Sequence, residues 1–238
     1  MNNSRTKRIR KIILGQSLVA LLITVVAGYL VIYALGYRIN LSARKIIKTG
    51  MIVLSVNPEP DSVQVGRLEL EPKEDVSVSL EPGFYDITIK KSGYQDWTIR
   101  SEVKAELVSF YKYIELFRLP TELQELTDSD SIAALNTPTT TLAVNVPKGL
   151  TCNDYEIWLK ESLVTRFSES ISSVNWLYDN RHIIFQQGDE IRVIDTDGTN
   201  NKVLAKLKDA SRAKFISSKR DQAIFIEQNN KYYSCKIQ

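Results

Sequence analysis

From Ile12 to Tyr37 the chain runs 26 residues without a charged side chain (IILGQSLVALLITVVAGYLVIYALGY). After that run its apolar residues recur mostly at every second position. A helix rises about 1.5 Å per residue, so about 20 apolar residues cross the hydrocarbon layer. The run therefore predicts a transmembrane helix over 12–37. Tyr29, Tyr33 and Tyr37 stand four residues apart and are expected on one helix face near its C-terminal end, as an interfacial aromatic anchor. Two other readings exist, a buried soluble helix and a signal peptide cleaved after the "VVA" that ends at Ala27. The basic flanks disfavour the first. The second is disfavoured because the apolar run continues to Leu35, longer than a typical signal core.

Beyond a short basic segment at 38–48, the spacing changes to the strand period. Ile52, Leu54 and Val56 share one predicted face, and Val63 and Val65 form a short strand ending at Gly66. Val76, Val78 and Leu80 alternate with serines, and Tyr85, Ile87 and Ile89 alternate with Asp86, Thr88 and Lys90. "EVKAELVSF" continues the alternation through Val103, Ala105 and Leu107, and "YIELF" closes the series. Such a run of short strands within about 70 residues, with no helical periodicity, predicts a small antiparallel β-sandwich over 49–118.

The turn residues of this region carry a family pattern. "IVLSVNP" at 52–58, "VQVGR" at 63–67, "LEPGFYDITIKKSGY" at 80–94 and Trp97 together resemble the PEGA domain. That family is a small bacterial β-sandwich found mostly on the extracytoplasmic side of membranes. Where it carries Pro-Glu-Gly-Ala, this chain has Pro58, Glu59, Pro60 and Asp61, so the first turn departs from the pattern. The resemblance implies a fold and a location, and transfers no catalytic residue.

"RLPTELQELTDSD" breaks the alternation, and 119–130 is expected to be a linker. Over 131–238 a faint repeat appears with a period near 40. "ISSVNWLYDNRHIIFQQGDEIRVIDTDG" at 171–198 aligns with "ASRAKFISSKRDQAIFIEQNNKYYSCKI" at 210–237, placing Trp176 on Phe215 and Ile183–Phe185 on Ala223–Phe225. An earlier copy runs through "TLAV" at 141–144 and "YEIW" at 155–158. Periods of 40 to 45 residues with several strands each are those of propeller blades, and "DTDGTN" resembles the outer turn of TolB-like and WD-repeat-like blades. Three copies fall short of the four blades of the smallest typical propeller. A longer parent chain, completion by another chain and an open β-array are the alternatives. The expected class is mainly β: a transmembrane helix, a PEGA-like sandwich, then blade-like antiparallel sheets forming a partial propeller.

Charge sharpens this picture. Residues 1–50 hold nine Lys or Arg and no acid, which leaves 22 basic against 28 acidic residues in 51–238. Residues 51–238 are thus acidic by six charges, and no basic face for nucleic acid is expected. Five positive side chains lie in the arm at 1–11 and four follow the span: Arg38, Arg44, Lys45 and Lys48. These four are expected to touch anionic headgroups. The short N-terminal arm, with all folded mass after the helix, favours a cytoplasmic N-terminus and extracytoplasmic domains.

Candidate chemistry is sparse. His182 is the only histidine and is expected as a surface or partly packed strand residue, and no G-x-S-x-G elbow accompanies it. One His and two Cys make no structural zinc set. Cys152 and Cys235 are a pairing to consider outside the cytoplasm, with two separate thiols the simpler expectation. "DTDG" at 195–198 starts like a calcium loop but lacks its later ligands, and a hairpin turn explains it. The three Trp are expected in cores rather than on a glycan surface. No cofactor is expected. The leading expectation is a non-enzymatic single-pass membrane protein that binds or scaffolds an envelope protein or glycan. A hydrolase with carboxylates on the repeat domain and a cytoplasm-facing sensor are the rivals.

Overall fold

The computed structural model describes residues 3–34, 36–40, 45–126 and 149–238. Helix α1 spans Asn3–Ala34 and includes the basic arm. Its stretch Gly15–Ala34 has a mean hydropathy of 2.3 and is long and apolar enough to cross a membrane, and none of that stretch is buried inside the protein. The helix stops earlier than its apolar composition predicts. Gly36 takes φ +80°, a conformation that costs glycine little, and its N–H donates to Tyr33 O at 3.1 Å. Tyr37 therefore opens strand β1 (Tyr37–Asn40), which pairs with β2 (Lys45–Lys48) in an antiparallel hairpin. Tyr29 and Tyr33 stay on the helix with ring centroids 6.3 Å apart. Tyr37 leaves that face, so the three-tyrosine row is reduced to two.

The chain gathers into two compact units: Met1–Val53 with Ser77–Tyr85 and Ser101–Tyr111, and Leu54–Val76 with Asp86–Arg100 and Lys112–Gln238. Seven strands fill the sandwich-like region: β3 (Gly50–Asn57), β4 (Ser62–Val65), β5 (Leu68–Leu70), β6 (Asp75–Leu80), β7 (Gly83–Lys90), β8 (Trp97–Val103) and β9 (Val108–Glu115). They form one sheet in the order β6-β3-β9 and another in the order β5-β4-β7-β8. The period-2 reading holds where one face meets a core. Ile52, Leu54, Val56, Val63, Val65, Ile87, Ile89 and Trp97 are all buried. It fails at "EVKAELVSF". Strand β8 ends at Val103, and Glu106 takes φ 65° in a turn closed by Leu107 N–H donating to Lys104 O. Ala105 and Leu107 are exposed there instead of packed.

The remaining strands are β10 (Gln124–Glu125), β11 (Leu150–Cys152), β12 (Glu156–Leu159), β13 (Ser162–Arg166), β14 (Ile171–Trp176), β15 (His182–Gln187), β16 (Glu190–Asp195), β17 (Lys202–Lys206), β18 (Lys214–Ser218), β19 (Ala223–Gln228) and β20 (Lys231–Lys236). They build three antiparallel sheets in the orders β11-β12-β13, β14-β15-β16-β17 and β10-β20-β19-β18. The aligned segments of the repeat occupy corresponding strands, with Ile183–Phe185 on β15 and Ala223–Phe225 on β19. Five consecutive residues of β15, His182–Gln186, are buried, so this strand is covered on both faces. Ile183 and Phe185 join a cluster with Ile157 and Ile171, while Ile184 joins another with Phe215, Ile224 and Ile226. The middle sheet is thus packed between its two neighbours. Among the described residues no propeller closes.

Part of the expected linker is structured. Gln124 and Glu125 pair with Ser234 and Tyr233 of β20, Leu126 N–H donates to Tyr232 O at 2.9 Å, and Leu123 packs on the adjoining core. The segment supplies the fourth strand of the last sheet. Residues 127–148, with the "TLAV" part of the earliest repeat copy, lie outside the described residues, while its "YEIW" part runs into β12.

Candidate functional site

Two places collect polar chemistry: the hairpin after the helix, and a buried ionic group beside β15. In the first, Lys48 pairs with Glu106 and stands 5.2 Å from the centroid of the Tyr37 ring. The hydrogen bond to Glu106, then that to Tyr37, raise the Lys48 pKa. Lys48 is therefore engaged by the protein as well as placed after the span. Of the other basic residues expected at headgroups, Arg44 lies outside the described residues, and so do the side chains of Arg38 and Lys45.

The second group starts from a turn. After β14 the chain passes through Asp179 and Asn180, and Asn180 adopts φ 56° and donates to Leu177 O. Asp179 caps the turn, its Oδ1 accepting the N–H groups of Arg181 and His182 at 2.9 and 3.0 Å. Its Oδ2 meets His182 Nδ1 in a short contact. From the end of β16, Asp195 brings Oδ1 to 3.2 Å from His182 Nε2. The other Asp195 oxygen accepts from Asn200 at 2.9 Å and Thr199 at 3.3 Å. The Phe117 ring packs edge-on against the imidazole, with centroids 5.5 Å apart.

His182, expected as a surface or partly packed strand residue, is on strand β15 and is buried, only 6% exposed. Burial opposes its charge, but hydrogen bonds to Asp179 and Asp195 and their negative charges outweigh that and raise its pKa to about 9. Asp179 moves the other way. Burial pushes its carboxyl up, yet the His182 contact and the two backbone N–H groups hold it below its ordinary range. At neutral pH the arrangement is an imidazolium between two carboxylates. Both ring nitrogens are committed, so His182 has no lone pair for general-base work. It acts as a charge pin.

A polar chain extends from this pin. Glu115 accepts from Asn57 at 2.8 Å and meets Gln238 Nε2 in a short contact, and Tyr178 donates to Gln238 Oε1 at 2.7 Å. Burial raises the Glu115 carboxyl pKa against the pull of both amides, and burial followed by the charges of Glu115 and Asp179 raises that of Tyr178. Gln95 donates to Val203 O at 2.7 Å and to Arg118 O at 3.0 Å, and Thr98 N–H reaches Asn200 Oδ1 at 3.3 Å. The cleft here, lined by Glu115, Phe117, Asp195, Asn200 and Lys202 among others, has room for about one water (about 10 Å³). The group ties strand ends together.

The other candidates resolve locally. Cys152 is exposed and Cys235 buried, and both are free thiols, so the pairing considered from the sequence is not formed. In "DTDG", Asp197 Oδ1 accepts the Thr199 N–H and hydroxyl within the turn, and Asp195 serves both the turn and His182 on β15, so both carboxylates have partners inside the protein. Trp97 and Trp176 are buried, while half-buried Trp158 donates to Glu156 at 3.0 Å. The Asp179–His182–Asp195 group was legible only as a lone histidine, because its partners lie 3 and 13 residues away with no motif linking them. Comparison of the chain with protein-family models finds no match, and comparison with curated proteins finds no significant one.

Proposed function

We propose that this protein is a non-catalytic, single-pass membrane protein that displays a PEGA-like sandwich and blade-like β-sheets for binding or scaffolding at the cell envelope. The observation that carries the reading is Gly15–Ala34. Twenty residues of apolar helix have no cover from the rest of the protein, and hydrocarbon is the environment that satisfies them. The acidic, strand-rich remainder is a display surface rather than a polyanion binder. Commitment of both His182 nitrogens to carboxylates supports a structural role for the only histidine. The turns at Pro82–Gly83 and Gly93 and the buried Ile87, Ile89 and Trp97 support the PEGA-like assignment. The partner is an envelope protein or a glycan.

Membrane fractionation tests the anchor. The full chain is expected to stay in the pellet after alkaline carbonate extraction at its unprocessed mass. Release into the supernatant, or loss of residues up to Ala27, would reject it. Protease added to intact cells then reports orientation. Digestion of 51–238 is expected, and protection of that region would favour the cytoplasm-facing reading.

A further inference from the structure

We propose that an apolar foot formed by Leu107, Val108 and Phe110, which follow one another from the 104–107 turn into the start of β9, lies in the lipid headgroup layer of the bilayer that α1 crosses. This rests on the membrane-spanning reading of α1 and adds a second contact with the same membrane. Leu107 is 57% exposed, Val108 44% and Phe110 59%. All three belong to the compact unit that contains the helix. Aromatic and aliphatic side chains of this size belong at the boundary between headgroups and acyl chains rather than in water.

The backbone fixes where the foot stands relative to the end of the span. Gly36, two residues past the helix, accepts at its carbonyl from both the N–H and the hydroxyl of Thr49, at 3.0 and 2.9 Å. Thr49 O in turn accepts the Glu106 N–H at 3.0 Å, and Leu107 O accepts the Met51 N–H at 3.0 Å. Two hydrogen-bonded steps therefore connect the last turn of the helix to the 104–107 turn. Each step spans about 5 Å, the spacing of paired strands. Twenty residues of helix cover about 30 Å, the hydrocarbon thickness, so Ala34 stands at its edge with the headgroup layer beginning immediately beyond.

Charge fits the same occupant. Beside the foot, Glu106 of the turn pairs with Lys48, and Glu102 at the end of β8 pairs with Lys104 at 3.3 Å. Neutralised acids remove the repulsion that anionic headgroups would otherwise exert. Lysine-paired carboxylates beside exposed Leu, Val and Phe side chains are suited to lipid, and the tie to the end of the span places lipid next to them.

Full-length protein in lipid nanodiscs tests this, on a Cys152→Ser background that leaves only the buried Cys235, with one introduced cysteine at a time carrying an environment-sensitive fluorophore and the background alone as the labelling control. The sites are Leu107→Cys and Phe110→Cys in the foot, Leu22→Cys in the helix and Leu163→Cys on β13. With one copy per disc, foot labels are expected to shift to the blue and be quenched by lipids bearing a headgroup nitroxide, whereas the Leu163→Cys label stays aqueous. Foot labels matching Leu163→Cys, with Leu22→Cys quenched by acyl-chain nitroxide, overturn the foot and leave the span standing. An aqueous Leu22→Cys overturns the span and the foot together. Foot protection seen only with two copies per disc assigns the patch to a second copy and also overturns the proposal.

Discussion

With a carboxylate at each ring nitrogen, the His182 imidazolium neutralises a buried acidic group, and the fold gains from its charge. The sign follows from the raised pKa. Stability from this group is full below the ordinary histidine value near 6.5 and is lost as pH rises through about 9. A shift of that size corresponds to something of the order of 3 kcal/mol at most. The urea midpoint of the full chain in detergent is therefore expected to fall between pH 6.5 and 9.5, and His182→Gln should flatten that slope while lowering the midpoint at pH 6.5. A wild-type midpoint unchanged across this window would refute the charge pin. Gly198 offers a second test at one atom. It holds φ +84°, and an added Cβ would meet Val164 O at 2.4 Å, whereas Gly188 at φ +57° has nothing within 4 Å. Gly198→Ala is expected to cost about 1–3 kcal/mol and Gly188→Ala less, since only the first adds a backbone clash to the strain. Equal shifts in thermal unfolding would contradict the geometry. "DTDG" announced the turn, because Asp and Gly favour it. Nothing local announced that Asp195 would also face His182, because that contact depends on how β15 and β16 pair.

At the scale of elements, legibility followed solvent. Strands β3, β4 and β7 alternate because one face is wet and the other is packed, and the sequence carries that alternation directly. The 104–107 turn was hidden because Val103, Ala105 and Leu107 keep the period while the backbone reverses at Glu106, a residue without the usual turn chemistry. The end of α1 was hidden for a related reason: Gly36 and Tyr37 remain uncharged, so composition continues where the helix does not. Strand β15 illustrates the opposite case, in which a run of buried residues has no polar face to reveal. Its centre, Phe185, is fully buried and packs on Phe167 with ring centroids 4.9 Å apart. Phe185→Ala is expected to destabilise by about 3–5 kcal/mol through lost burial and the cavity left behind. Phe84→Ala, at an exposed position, should stay within about 0.5 kcal/mol in detergent. Denaturant midpoints measured on the two variants side by side check both, and a larger loss for Phe84→Ala would show that the burial pattern is misread.

Across the whole molecule, stability after the sandwich-like region is arranged as a stack whose sheets depend on their neighbours. The β14–β17 sheet is covered on both faces, whereas among the described residues β11–β13 joins one cluster, built around Ile157, Trp176 and Phe185. In a stack of this kind stability resides in the interfaces between adjacent sheets as much as in each sheet. Local opening should then begin where only one interface holds. Native-state hydrogen exchange is expected to show β15 amides exchanging last and β11–β13 amides well before them. Two substitutions separate the interfaces. Ile157→Ala weakens one, and should speed exchange in β11–β13 while leaving β18–β20 near wild type. Phe185→Ala strikes the sheet shared by both, and should speed exchange in β11–β13 and β18–β20 together. The asymmetry follows from the middle position of β15 and from nothing in the outer sheets themselves. Equal acceleration at every amide for both variants would mean that the region opens as one cooperative block, and the nearest-neighbour account would then fail.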